Sequence, residues 1–188
     1  MKLLVLADLH LDEVSDGDVL TRLGDAIQGA GAQADALIIA GDLIEAAVRN
    51  WPSAIRWLGR HYPAARTVFV PGNHDYYGGN LDTLDGELDG ICRAEGASFG
   101  QCRSLVLGDT RILMATLWTD FQLYAEHGHD PFENTLMGAV SMPDYVPGVI
   151  AAGNPERALH PEDTIAVHEQ HKAWGGARFS ETVRRAIS

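Results

Sequence analysis

Three short apolar runs, each followed at once by polar residues, constrain the fold of this chain more than any other feature. They occupy residues 2–7, 36–40 and 67–70. Continuous runs of this kind are typical of strands buried on both faces of a parallel sheet. Helical patterns fill the intervals, at residues 18–30 and about 46–60. Because right-handed crossovers make such strands parallel, the sequence predicts a βαβαβ unit.

Side chains that can bind metals or transfer protons follow each predicted strand. The carboxyl ends of parallel strands share one edge of a sheet, where open α/β sheets bind ligands. We therefore expect five of these side chains to converge there: Asp8, His10, Asp42, Asn73 and His74.

Carboxylates, imidazoles and an amide oxygen suit a divalent ion such as Mn, Fe, Zn, Co or Ni. Asp42 follows the middle strand, from which one carboxylate can bridge two ions. Two ions roughly 3.5–4 Å apart polarise a phosphoryl group and activate a water molecule. His74 can then protonate the leaving alkoxide, and Asp75 can orient the His74 ring.

Three motifs in this order resemble the first three of the calcineurin-like metallophosphoesterases. They are Asp-Leu-His at residues 8–10, Gly-Asp at 41–42 and Gly-Asn-His-Asp at 72–75. Each follows a predicted buried strand, which makes the combination specific. Residues 116–121 (Thr-Leu-Trp-Thr-Asp-Phe), Asp-Tyr at 144–145 and a helix over 164–174 resemble small bacterial members. The resemblance covers about residues 1–174.

This resemblance implies an α/β fold, a β-sandwich flanked by helices that starts as βαβαβ and continues with antiparallel strands. It also implies two divalent metal ions. Asp8 and His10 would hold the first, Asp42 would bridge both, and Asn73 would hold the second. A hydroxide activated by this dinuclear centre would attack a phosphate ester, with His74 assisting the leaving group. The substrate would be a small molecule or a phosphoprotein.

The remainder of the chain carries weaker signals. Asn80 is expected to cap a helix with an apolar face, and a hairpin is expected around residues 108–110. A last helix should run from residue 160 to about 174. On it, His168 and His171 are interpreted as part of a solvated face. Short helices are expected within residues 124–147. The sequence His127-Gly128-His129 is interpreted as polar residues of a solvated loop.

The family has two further histidine motifs after its last helix, and this chain ends before either of them. We therefore expect a metallophosphoesterase domain over residues 1–174 that is incomplete at its C-terminus, followed by a divergent tail at 175–188. The alternative to an active enzyme is a catalytically impaired, truncated remnant, or a metal-binding domain completed by a partner. Exposed strand edges would favour self-association.

Composition narrows the classes of partner and compartment. The formal charge is −12, from 26 acidic and 14 basic residues, which disfavours binding to nucleic acid or an anionic membrane. The two cysteines, Cys92 and Cys102, have no CxxC spacing, which favours reduced thiols in the cytoplasm. A dinucleotide-binding site is excluded because residues 7–10 offer no glycine-rich turn.

Overall fold

A computed structural model of the chain describes residues 1–122, 130, 133, 135, 137, 139 and 141–187. The loop sequence at 127–129 and much of the segment 124–147 lie outside this part. The strands are β1 Leu3–Leu6, β2 Ala36–Ala40, β3 Thr67–Val70, β4 Ser98–Phe99, β5 Arg103–Leu107, β6 Thr110–Met114, β7 Ala151–Ala152 and β8 Arg157–Ala158. The helices are α1 Gly17–Gly31, α2 Ala47–Gly59, α3 Leu84–Ala94 and α4 Pro161–Ile187.

The central sheet is fully parallel, with strand order β1-β2-β3-β4. Leu37 of β2 pairs with Leu4 on one side and with Thr67 on the other. This arrangement confirms the predicted βαβαβ unit. The predicted hairpin is also confirmed, since β5 and β6 pair antiparallel around Gly108 and Asp109.

The first strand differs from the prediction in its burial. β1 lies at the edge of the sheet, and the Val5 side chain is 52% exposed. The expectation that β1 is buried on both faces is therefore wrong. An apolar run predicts a strand, but it does not tell a central strand from an edge strand.

The two faces of the sheet are covered unequally. Side chains alternate between the faces along a strand, so Ile39 and Phe69 join Trp51 and Leu88 in the main core. The opposite face carries a smaller cluster: Ile38, Val68, Val70 and Met114. The β5–β6 hairpin supplies the second layer over this face. A cavity of about 500 Å³ remains between Leu3, Val5, Ile38 and β6.

Two helix starts differ from the sequence interpretation. α2 is continuous from Ala47 and contains Pro52 in its second turn, so residues 46–50 do not form a separate turn. A proline at this position removes the hydrogen bond to the Val48 carbonyl, yet the helix continues through it to Gly59. Asn80 does not cap α3. Its side chain accepts the Asp82 N–H in a preceding turn, and the helix begins at Leu84.

The last helix starts at Pro161 as predicted, but it does not end near residue 174. α4 continues through Gly175 and Gly176 to Ile187. No neighbouring atom lies within 4 Å of where a Cβ would be at either glycine, so each costs about 1 kcal/mol in an exposed helix. Surrounding helix-forming residues outweigh that cost. The division of the chain at residue 174 stays a prediction.

His171 is buried, so its interpretation as part of a solvated face is wrong. Its side chain is only 7% exposed, and Nδ1 accepts a hydrogen bond from the Leu117 N–H at 3.3 Å. Burial, and secondarily the neighbouring His168, lowers the pKa of the His171 imidazole. The neutral ring therefore ties α4 to the loop that follows β6.

This burial predicts a loss of stability in mild acid. The unfolded chain takes up a proton at His171 below about pH 6.5, whereas the folded chain resists protonation until its lowered pKa is reached. The free energy of unfolding should therefore fall as pH drops through that window. His171→Gln should flatten the profile in urea titrations with a chelator present. The exposed control His160→Gln should keep it, and identical profiles for both variants would contradict the prediction.

Candidate metal centre

The loops after β1 and β2 run side by side at the carboxyl edge of the sheet. The Asp8 N–H donates to the Gly41 carbonyl at 3.1 Å, and the His10 N–H donates to the Asp42 carbonyl at 3.0 Å. One ligand atom from each of Asp8, His10 and Asp42 lies within 4.8 Å of the other two. The predicted convergence of these three residues is therefore present in the fold.

All three residues have left-handed backbone conformations. The φ angles are 55° at Asp8, 39° at His10 and 53° at Asp42. Non-glycine residues in this region cost roughly 1–3 kcal/mol each, and they persist only where surrounding structure holds them. Here the paired loops hold them. These strained conformations thus occur at the three residues whose side chains come together.

Asp42 is fixed by the turn after β3. Its Oδ1 accepts the His74 N–H at 3.1 Å. A Cβ atom on Gly72 would lie 2.2 Å from the same oxygen and 2.6 Å from the Asp42 nitrogen. Only glycine at position 72 therefore allows the two loops to approach this closely.

Gly72→Ala is expected to displace the Asp42 carboxylate. Metal affinity should fall by about 10–100-fold, as when the support of a ligand is lost, and overpacking should destabilise the fold by about 1–3 kcal/mol. Titration calorimetry with Mn²⁺ and thermal unfolding measure the two effects. Gly90→Ala is the matched control, because nothing lies within 4 Å of a Cβ there. Unchanged Mn²⁺ affinity in Gly72→Ala would contradict the expectation.

The His74 ring is held from two sides. Its Nδ1 lies 3.1 Å from Glu45 Oε1. Its plane stacks on Tyr77, with 4.4 Å between ring centroids, and the His10 ring lies perpendicular to it with 4.9 Å between centroids. A carboxylate can only accept, so Nδ1 donates to Glu45. Nε2 is then the nitrogen available to a ligand.

Asp75 does not orient His74, so that prediction is wrong. Its carboxylate is fully buried and accepts N–H groups from Leu43 (3.2 Å), Ile44 (3.2 Å), Gly72 (2.8 Å) and Trp51 Nε1 (2.9 Å). Burial raises the pKa of the Asp75 carboxyl, and these donors, led by Gly72, oppose the shift. Asp75 thus connects the loop after β2 and the loop after β3 to helix α2.

Sequence reasoning missed Glu45, which takes the role assigned to Asp75. The signal was present in Gly-Asp-Leu-Ile-Glu at residues 41–45, where a second carboxylate follows Asp42 by three residues. A turn at the end of β2 brings both carboxylates to the same edge. The sequence predicts that strand end, but it does not predict the direction of each side chain in the turn.

Asn73 is oriented by a buried carboxylate from a distant part of the chain. Its Nδ2 donates to Asp144 Oδ1 at 2.8 Å, and Asp144 is 1% exposed. The amide nitrogen is thereby occupied, so Oδ1 is the atom of this side chain that could bind a metal ion. The same carboxylates affect the neighbouring Tyr77. Burial raises the pKa of its phenol to about 12, and the negative charges of Asp144, Glu45 and Asp42 contribute to the shift.

The donor set fits a divalent metal ion. Two carboxylates and an imidazole from Asp8, His10 and Asp42, with the amide oxygen of Asn73 on the next loop, are ligands that first-row divalent ions accept. The surrounding carboxylates add negative charge that a cation would offset. The arrangement can thus hold a metal next to a histidine whose proton position is fixed.

Comparison with known proteins agrees with this assignment. The family model of the calcineurin-like phosphoesterases matches residues 1–179. The chain therefore belongs to this family, a class of metal-dependent phosphoester hydrolases, and the resemblance described above is confirmed.

Individual relatives match over shorter stretches. A "Transmembrane protein with metallophosphoesterase domain" from Danio rerio is 30% identical over 82 residues, which cover 44% of this chain and 18% of that protein. An "Uncharacterized metallophosphoesterase" of Helicobacter pylori is 28% identical over 91 residues, covering 45% of this chain and 24% of that protein. The chain thus spans less than a quarter of either relative. Among its described residues, no helix combines the length and apolarity needed to cross a membrane.

Proposed function

We propose that this chain is a metal-dependent phosphoesterase, with Asp8, His10 and Asp42 as ligands of one divalent ion. Asp42 and Asn73 would serve a second ion. The observation that carries the proposal is the grouping of three ligand atoms within 4.8 Å, beside an imidazole held by a carboxylate. Family membership supports the reaction class.

A divalent ion in this site supplies polarisation of a phosphoryl oxygen and activation of a water molecule. The protein's own residues position the other groups. Asp42 lies between the loops that carry Asp8 and Asn73, which suits a shared carboxylate. The contact between Asn73 and Asp144 presents the amide oxygen and prevents the NH₂ group from facing the ion.

His74 would act on the leaving group. Its Nδ1–H donates to Glu45, so a proton carried by Nε2 can be given to the alkoxide as the ester bond breaks. Stacking on Tyr77 limits rotation of the ring. Glu45 is a positioning residue in this scheme, because it acts through His74 and not on the ester.

The family suggests a phosphate ester as substrate, and the charge of the chain disfavours nucleic acid. An anionic ester approaches a chain with a formal charge of −12, so metal ions must compensate the repulsion. We propose a phosphorylated small molecule or phosphoprotein as substrate, and no nucleic acid. Both cysteines are free thiols, which supports the proposal of a cytoplasmic location.

The test is hydrolysis of p-nitrophenyl phosphate and its bis ester by protein loaded with Mn²⁺. Activity should appear with the metal, disappear with a chelator and return when Mn²⁺ is restored. A chain that binds Mn²⁺ with wild-type folding but hydrolyses neither ester nor a panel of alkyl phosphates would overturn the proposal.

A metal-binding domain with little or no turnover is the second candidate, and one observation favours it. Within the described residues, the carboxyl edge of the sheet provides a single three-membered group of His, Cys, Asp or Glu ligands. A second ion would rely on Asp42 and Asn73. One ion bound at this edge of the sheet without hydrolysis would favour this candidate, and association through the free edge of β1 could then be tested by sedimentation.

A further inference from the structure

A second group of metal-ligand side chains lies away from the centre described above. It consists of Asp120, in the loop after β6, with His168 and Glu169 on α4. One ligand atom from each lies within 4.8 Å of the other two. The sequence interpretation placed His168 on a solvated face, whereas its side chain is only 14% exposed.

The hydrogen bonds of His168 determine which nitrogen carries the proton. Nδ1 lies 2.8 Å from the Leu117 carbonyl and 3.2 Å from the Trp118 carbonyl. Carbonyl oxygens only accept, so Nδ1 is the donor and Nε2 bears the lone pair of the neutral ring. Metal-binding histidines commonly have this arrangement, with the second nitrogen donating to a backbone carbonyl.

Nε2 of His168 faces a carboxylate oxygen without a hydrogen bond between them. Asp120 Oδ1 accepts the Gln122 N–H at 3.0 Å, while Oδ2 lies 3.6 Å from His168 Nε2. The separation of 3.6 Å is too long for a strong hydrogen bond.

The separation is compatible with a bound cation. Zn–N and Zn–O distances of about 2.0–2.2 Å place two tetrahedral ligand atoms roughly 3.3–3.5 Å apart. The separation of 3.6 Å between Asp120 and His168 is close to that value. Glu169 lies on the solvent side and pairs with Lys172 at 2.5 Å. An exposed ion pair of this kind is weak, so a metal can displace it.

We propose that Asp120, His168 and Glu169 bind a Zn²⁺ ion, with water completing its coordination. This ion would join α4 to the loop that contains Leu117 and Trp118. It is separate from the Asp8, His10 and Asp42 centre. The proposal does not depend on the proposed phosphoesterase activity, because binding can be measured without turnover.

The experiment counts zinc ions per chain in four proteins: wild type, Asp42→Asn, Asp120→Asn and the double variant. Titration calorimetry and elemental analysis after gel filtration give the count. Asp120→Asn should remove one ion in either background, because the two sites are independent. Asparagine keeps an oxygen for the Gln122 N–H, so the loop should stay folded, and circular dichroism checks this.

Glu169→Gln provides a second variant at an exposed position that cannot disrupt the core. It should weaken the same site by at least about tenfold, the scale of losing support at a metal site. The matched control is Glu162→Gln, an exposed glutamate on the same helix, which should leave zinc binding unchanged. Equal zinc counts and affinities in wild type, Asp120→Asn and Glu169→Gln would overturn the proposal.

Discussion

Asp42→Asn is expected to reduce phosphoester hydrolysis by about 10³-fold, because Asp42 is proposed to bridge metal ions that supply several kcal/mol of transition-state stabilisation. The variant removes a negative charge but keeps an oxygen for the His74 N–H, which Asp42 Oδ1 accepts at 3.1 Å. The fold should therefore survive. Hydrolysis of p-nitrophenyl phosphate with Mn²⁺, together with metal content per chain, measures the effect.

The control for this substitution is Asp25→Asn, which makes the same chemical change at an exposed position on α1. Its rate and metal content should equal those of the wild type. If Asp42→Asn retained both the wild-type rate and the wild-type metal content, Asp42 would not be a ligand. The centre would then have to be assigned to other residues.

His74→Asn is expected to slow hydrolysis in a way that depends on the leaving group. An alkyl phosphate needs a proton on its leaving oxygen, so its rate should fall by about 10²–10⁴-fold. p-Nitrophenolate leaves without protonation, so its ester should be affected much less. Glu45→Gln should show the same pattern at about 10–100-fold, because Glu45 acts by orienting the His74 ring.

Comparing rates for the alkyl and p-nitrophenyl esters separates this role from metal binding. Metal content should remain at the wild-type level in both variants. His160→Asn, on an exposed imidazole with a side chain 63% accessible, serves as the control and should leave both rates unchanged. An equal loss with both esters would mean that His74 binds the phosphate or the metal and does not protonate the leaving group.

The parallel sheet could be predicted from the sequence because its central strands are short, continuous and strongly apolar. The predicted bounds 36–40 and 67–70 coincide with those of β2 and β3. The errors arose where a short stretch of sequence does not determine the tertiary structure around it. The run at residues 2–7 contains no indication that β1 is an edge strand. Gly175 and Gly176 suggested a helix end, yet neighbouring residues carry α4 past them.

The site was predictable in part, for a topological reason. Parallel strands bring their carboxyl ends together, so Asp8, His10 and Asp42 could be placed side by side without coordinates. Hydrogen-bond partners could not be assigned in this way. The pairings of His74 with Glu45 and of Asn73 with Asp144 depend on side-chain directions within turns, and the second pairing spans residues far apart in the chain.

Asp75 has an evolutionary consequence. Its carboxylate joins Gly72, Leu43, Ile44 and Trp51, so it stabilises the fold even when no substrate is turned over. Descendants that lost catalysis would be free to change residues whose only duty is chemistry. They would keep this aspartate, because leaving four donors without an acceptor, two of them on buried residues, is costly. Its persistence in a lineage would therefore record ancestry and would not indicate activity.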